Sequence, residues 1–257
     1  MLRLHLFGAQ TCQFVAQLTM DILQQKRAMG DVTETSLIGM MANAKDATGA
    51  PLFTDKQITD YGVALLLAAA DATVAALNHL FYHLAVYPDV QRKLMDKIDQ
   101  VEQLTPQTIA GMKYLDAVIN ESQRFEPSVP RNLRVTTRAG HLGDIYCPKN
   151  AMINVSFATM CKDARYFERP DQFLPERFLV GHSGLRHNAA AFVPFSMGPR
   201  VCIGQTLVIF EIKLTVVKML KAFRFETCAQ TDRPLHVNAG SIVAIATNVT
   251  LRVVPRE

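Results

Sequence analysis

From Thr54 to Tyr87 the chain runs without a proline and with few charges, and this stretch constrains the fold most. Thr54-Asp55-Lys56-Gln57 opens it in the form of a capping box: a hydroxyl can accept from the N3 amide while Gln57 reaches back. Pro88 closes it. A helix of that length spans about 50 Å, at a rise of about 1.5 Å per residue. Its middle is apolar on most sides, which predicts a central helix, about 54–87, that crosses a core. Gly62 to Phe81 is long enough to span a bilayer, but Asp71 sits in its middle, and Asn78 and His79 follow. A carboxylate at bilayer centre is costly, so the expectation is a buried helix of a soluble domain.

Around this helix the patterning is mostly helical. Apolar spacing predicts helices over Phe14–Lys26, ending near Gly30, and over Thr35–Asn43, with a loop at 47–51. Past Pro88, Leu94, Ile98 and Val101 share one face of an exposed amphipathic helix. Leu104-Thr105-Pro106 opens a short turn, and Tyr114–Phe125 is a helix ended by Pro127. Beyond Pro127 the texture changes: Val129–Val135 and Ile145 read as β. Asn154–Met160 fits either helix or strand. Pro170–Gly184 is loop-rich, and Thr206–Phe223 is an amphipathic helix. Val, Ile and Thr alternate from Leu235 to Val254, around Asn238-Ala239-Gly240 and Asn248, which predicts paired strands. The fold class is therefore mainly α with small β-sheets, in one mixed domain.

Composition narrows the function. The 257 residues are 49% hydrophobic and 19% charged, with a net charge of +4. That excludes disorder and permits a sizeable core. No basic run appears, so no nucleic-acid partner is expected. The five cysteines stand alone at 12, 147, 161, 202 and 228. An odd number with no close pair argues against disulfides and for a reducing compartment. The apolar parts of the N-terminus are too short for a transmembrane anchor, so none is expected in this chain.

The residues suited to chemistry centre on Phe195-Ser196-Met197-Gly198-Pro199-Arg200-Val201-Cys202-Ile203-Gly204. A lone cysteine lies between two glycines, two places after an arginine and just before a long helix. Glycine lets backbone turn close to a flat ligand. Amides at the head of the following helix stabilise thiolate charge. The arginine offers a fork for a carboxylate. The segment resembles the haem-binding loop of the cytochrome P450 family, F-x-x-G-x-R-x-C-x-G, with Phe195, Gly198, Arg200, Cys202 and Gly204 at its five specified positions. The resemblance implies haem b with Cys202 as its axial thiolate, Phe195 beneath the haem, and Arg200 on a propionate.

Other segments join the resemblance. Glu121-Ser122-Gln123-Arg124 is similar to the family's E-x-x-R pair. Pro175-Glu176-Arg177-Phe178, preceded by Asp163, Phe167, Pro170 and Phe173, is similar to its P-E-R-F segment. By resemblance Glu121, Arg124 and Arg177 form a structural network behind the haem, and Arg134 binds the second propionate. Ala68-Ala69-Ala70-Asp71-Ala72-Thr73 looks like the segment that bends the central helix over the haem. There Ala69 replaces glycine, and Ala72 replaces the threonine that helps deliver protons. Thr73 lies one place on, about 100° around the helix. Asp71 and Thr73 are the candidate catalytic residues. His79 and His83, at i and i+4, lack the third ligand a metal site needs.

The match extends from about residue 10 to the end and corresponds to the C-terminal half of the fold. Residues 1–257 then form a truncated domain lacking the N-terminal helices and strands, the membrane anchor and the helices that roof the substrate pocket. P-E-R-F points to eukaryotic, fungal-type members, whose full-length relatives are often bound to the endoplasmic reticulum and face the cytoplasm. Three readings follow. One is a monooxygenase using dioxygen and an NADPH-linked reductase on a lipophilic small molecule, a secondary metabolite or lipid. Another is a haem-thiolate isomerase or dehydratase that activates no oxygen, suggested by Ala72. The third is a non-catalytic remnant. The surviving pocket walls would be Ala64–Thr73, Ser128–Leu133 and Asn238–Ser241.

Overall fold

The computed structural model describes residues 8–28, 36–179, 189–238 and 242–256 of the chain. The described residues group into two compact units, Met1–Ala70 and Asp71–Glu257, dividing inside one long helix. Pro127 lies within the second unit.

The first unit holds α1 (Ala9–Ala28), α2 (Leu37–Asn43) and the beginning of α3 (Asp55–Val86). Ser36 caps α2 by accepting from the Gly39 amide at 3.1 Å. Both capping-box bonds at the head of α3 are present: Thr54 N donates to Gln57 at 2.9 Å, and Gln57 N donates to the Thr54 hydroxyl at 3.3 Å. Arg27 at the end of α1 forks onto Asp55 at 2.7 and 2.8 Å. At Gly62 the two helices meet so closely that a Cβ would lie 2.5 Å from Thr19 Cγ2. Gly30 and Thr35 lie outside the described residues.

The second unit begins within α3 and continues through α4 (Pro88–Asp99), α5 (Pro106–Ala110) and α6 (Lys113–Phe125). Then come β1 (Arg131–Val135), β2 (Gly140–Leu142), β3 (Ile145–Cys147), β4 (Met152–Ser156) and α7 (Phe157–Cys161). The stretch 154–160 is thus strand first and helix after, with Ser156 as the N-cap that switches it. A 3-10 turn at Pro175–Phe178 precedes α8 (Gln205–Ala222). The chain closes with β5 (Phe223–Glu226), β6 (Val237–Asn238), β7 (Ile245–Ala246) and β8 (Arg252–Pro255).

Among the described residues the strands form two-stranded antiparallel ladders: β1 with β4, β2 with β3, β5 with β8, and β6 with β7. The tail consists of paired strands, as its alternation predicts: β6 and β7 pair with each other, and β8 pairs outside the tail. Phe225 pairs with Val253, and Phe223 with Pro255, so the last strand returns to the end of α8. Gln91 fastens that return, accepting from Phe225 N at 2.8 Å and donating to Phe225 O at 2.8 Å.

The main core joins Ala76, Leu80 and Leu84 of α3 to Leu94 and Ile98 of α4, Leu115 and Val118 of α6, and Val216 and Leu220 of α8. A smaller cluster gathers Phe157, Cys161, Phe167 and Ala191. This corrects the expectation for α3. It is packed on all sides only along its C-terminal third, whereas Leu66 and Val74 are 51% and 54% exposed. Burial needs a partner on each face, and α4, α6 and α8 supply partners only from Ala75 onward. Among the described residues α3 is the one helix long and apolar enough to cross a membrane, with 28% of its most apolar window buried.

Candidate functional site

The loop 195–204 is closed on itself before α8 begins. Cys202 N donates to Phe195 O at 2.9 Å, Val201 N to Gly198 O at 3.1 Å, and Ser196 N to Val193 O at 2.9 Å. Gly198 holds the turn at φ +71°, in the left-handed region that favours glycine. Gly204 does not need glycine's freedom: its φ is −87°, and a Cβ there would touch Cys202 Sγ at an ordinary 4.0 Å. Gly204 caps α8 with no side-chain acceptor, and the first amide of the helix, Gln205 N, donates to Cys202 O at 3.4 Å.

Cys202 and Arg200 are exposed, and Phe195 is half-buried. Around the thiol the surface is apolar: Met197, Val201, Ile203 and Leu207 are all exposed. Arg134 of β1 reaches this loop. Its Nη2 donates to Ser196 Oγ at 3.1 Å and its Nη1 to Leu133 O at 2.8 Å. Among the described residues neither Arg134 nor Arg200 has a carboxylate partner. Ser196 is the residue that sequence reasoning missed. Its side-chain contact and its φ of +63° leave no mark in the linear pattern.

A buried ion cluster joins α6 to the Pro175–Phe178 turn. Glu121 accepts from Arg124 Nε at 2.8 Å and Nη2 at 2.9 Å, from Arg177 Nε at 3.0 Å, and from Leu174 N at 2.7 Å. The side chains of Glu121 and Arg124 are fully buried, and that of Arg177 is 3% exposed. The remaining guanidinium protons go to backbone: Arg124 to Cys161 O, Pro170 O and Gln172 O, and Arg177 to Glu168 O and Arg169 O. Two cations and one anion share the cluster, and carbonyl dipoles carry the surplus charge. Burial pushes Arg177 below its ordinary value while Glu121 pushes it back up.

Asp71, Ala72 and Thr73 are half-buried on α3, which runs unbroken through them. Positions two apart do not share a helix face, so Asp71 and Thr73 are not brought together. One to three turns on, His79 Nδ1 pairs with Glu126 O at 3.0 Å and His83 Nδ1 with Ser122 Oγ at 2.9 Å. Both rings are buried and tie α3 to α6. Burial holds His83 neutral, with its pKa pushed down to about 3 by desolvation first and then by the charges of His79, Arg124 and Lys162. Of the expected pocket walls, Ser128 is buried and its hydroxyl donates to Gln123 at 2.9 Å. Residues 239–241 lie outside the described residues, and Ala64–Ala70 belongs to the first unit.

The comparisons with known proteins agree on one class. A profile described as cytochrome P450 matches residues 4–253. Mouse (Mus musculus) cytochrome P450 3A25 is 27% identical over all of this chain and 52% of its own length. Dog (Canis lupus familiaris) cytochrome P450 3A12 is 32% identical over 84% of this chain and 43% of its own. A lithocholate 6-beta-hydroxylase from Mesocricetus auratus is 28% identical over all of this chain and 52% of its own. The solved haem domain of cytochrome P450DA superposes with a TM-score of 0.84 at 22% identity, covering 94% of this chain and 54% of that one. The chain belongs to the cytochrome P450 family, and it spans about half the length of the curated relatives it matches.

Family and fold imply haem b ligated by a cysteine thiolate. The residues present fit that group. An exposed thiol, two arginines without an acid partner among the described residues, and the exposed Met197, Val201, Ile203 and Leu207 suit a flat, largely apolar group that carries two carboxylates.

Proposed function

We propose that this chain carries the thiolate side of a haem-thiolate monooxygenase whose substrate is a lipophilic small molecule, with oxidative tailoring of a secondary metabolite or lipid as its reaction. The observation that carries the reading is the Cys202 loop: an exposed thiol on a turn held by Gly198, linked through Ser196 to an arginine with no acid partner among the described residues. Cys202 holds the haem iron, Arg134 and Arg200 take its two propionates, and Phe195 packs against its face. Bound haem supplies the electron-transfer and oxygen chemistry. The chain's own tasks are to bind and orient the group, keep the site apolar, and hold a proton at Asp71 or Thr73. Dioxygen and an NADPH-linked reductase are the co-substrate and electron donor of this reading, and a reducing, cytoplasm-facing compartment suits its free cysteines.

The names of the relatives support it: one is a hydroxylase of lithocholate, itself a lipophilic molecule. The side chains of Ser128–Leu133 and Asp71–Thr73 include the small or apolar Ser128, Val129, Pro130, Leu133, Ala72 and Thr73. The test is the Cys202→Ser chain. The red-shifted absorption of the reduced carbon monoxide complex is expected to vanish, and an undiminished band with serine overturns the assignment.

One observation favours a second reading, a haem-thiolate isomerase or dehydratase that activates no oxygen. Thr73 lies within the helical range of α3, one place and about 100° around from Ala72, so its hydroxyl is on a different face.

A further inference from the structure

Ser196 stands where the backbone is left-handed, at φ +63°. Glycine adopts that conformation without penalty, and serine does not. Its side chain reaches a distant element: Ser196 Oγ accepts from Arg134 Nη2 at 3.1 Å. The second fork nitrogen of Arg134, Nη1, is turned back onto Leu133 O at 2.8 Å. Two acceptors therefore fix the plane of a guanidinium that is otherwise exposed and has no carboxylate beside it among the described residues. The same serine follows Phe195, whose carbonyl accepts from Cys202 N at 2.9 Å. A short path of bonds thus runs from the arginine fork to the backbone of the cysteine.

We propose that Ser196 is a positioning residue: it holds the Arg134 fork in register with the Cys202 loop, so that one carboxylate of the bound haem meets an aligned guanidinium. The inference rests on the haem-thiolate reading above and adds to it a residue outside the family pattern quoted for this loop. Ser196 touches neither iron nor porphyrin in this scheme. It acts through Arg134, by removing the fork's rotational freedom before the ligand arrives, and preorganisation of this kind shows as affinity.

The test titrates the 257-residue chain with haem b and, separately, with haem dimethyl ester, whose carboxylates are masked. The Soret band is followed for the unmodified chain, Ser196→Ala, Ser196→Gly and Arg134→Gln. Freeing one preorganised side chain predicts that both serine variants bind haem b about three- to tenfold more weakly. Binding of the dimethyl ester is expected to be unchanged, and in the Arg134→Gln background the serine substitution adds nothing. Ser196→Gly separates this from misfolding, because glycine relaxes the turn, and its melting temperature is expected to hold or rise. Equal haem b affinity in all serine variants overturns the inference while leaving Cys202 as ligand. An equal loss for both haems also overturns it, since that reports loop packing. An unmodified chain that takes up no haem overturns the cofactor reading, and this inference with it.

Discussion

Glu121 is the residue on which the fold is most exposed to a single change. It satisfies two guanidinium groups and the Leu174 amide in a space that admits no water-facing atom of its own. Removing one member of a buried ionic group costs about 3–5 kcal/mol, because the partner charges stay buried. Glu121→Ala leaves two arginines side by side and frees the backbone at Leu174. The expected outcome is loss of cooperative unfolding in a thermal melt, and a normal melt in Glu121→Ala contradicts it. The i, i+3 pair itself was legible in the helix pattern. That Arg177, from a segment far along the chain, joins the pair was expected only from the family resemblance, and the complete burial of Glu121 and Arg124 follows from the packing around them.

At the scale of elements, the seam between α3 and α6 has a pH signature. Folded, His83 stays neutral down to about pH 3, while an unfolded histidine titrates near its ordinary value of 6.5. Above that value both states are neutral, and the packing contribution is complete. As pH falls below it the unfolded chain takes up a proton that the native chain refuses. Stability then drops by about 1.4 kcal/mol per pH unit until the folded pKa is reached. His79, also pushed down by burial, acts in the same direction. Urea midpoints at pH 7.5 and pH 5 are expected to differ more for the unmodified chain than for His83→Gln, which cannot charge. Equal slopes in the two proteins contradict the assignment. The histidines were visible at i, i+4, a spacing that suggests a metal. The structure gives them instead to Glu126 O and Ser122 Oγ, partners that only the α3–α6 packing supplies.

For the whole molecule the question is whether the relay position works. Ala72 carries no hydroxyl, and Thr73 is about 100° away around an unbroken helix. A misplaced proton donor lets reduced oxygen leave as peroxide instead of entering substrate. Joined to a family N-terminal half, the chain is expected to release less peroxide per reducing equivalent as Ala72→Thr than with Ala72, on substrates that carry no hydroxyl. Equal coupling in the two forms defeats the relay argument. The isolated chain is expected to show little oxygenation, since Leu66 and Val74 of α3 and the apolar ring around Cys202 are open to water. Turnover by the isolated chain equal to that of the joined form would refute this.

By itself the sequence determined what depends on neighbours along the chain. The Thr54–Gln57 box and Pro88 bound α3, Pro127 marks a change of texture, and the spacing from Phe195 to Gly204 specifies the cysteine loop. These are short-range effects of capping, proline geometry and backbone freedom, and they act before any tertiary contact forms. Only the tertiary structure decided which distant groups meet. His79 and His83 meet Glu126 O and Ser122 Oγ, Arg134 turns to Ser196, and β8 pairs with β5 rather than with the strand before it. It also decided that the apolar middle of α3 is left largely uncovered, because apolar composition states a demand for burial while packing partners alone can meet it.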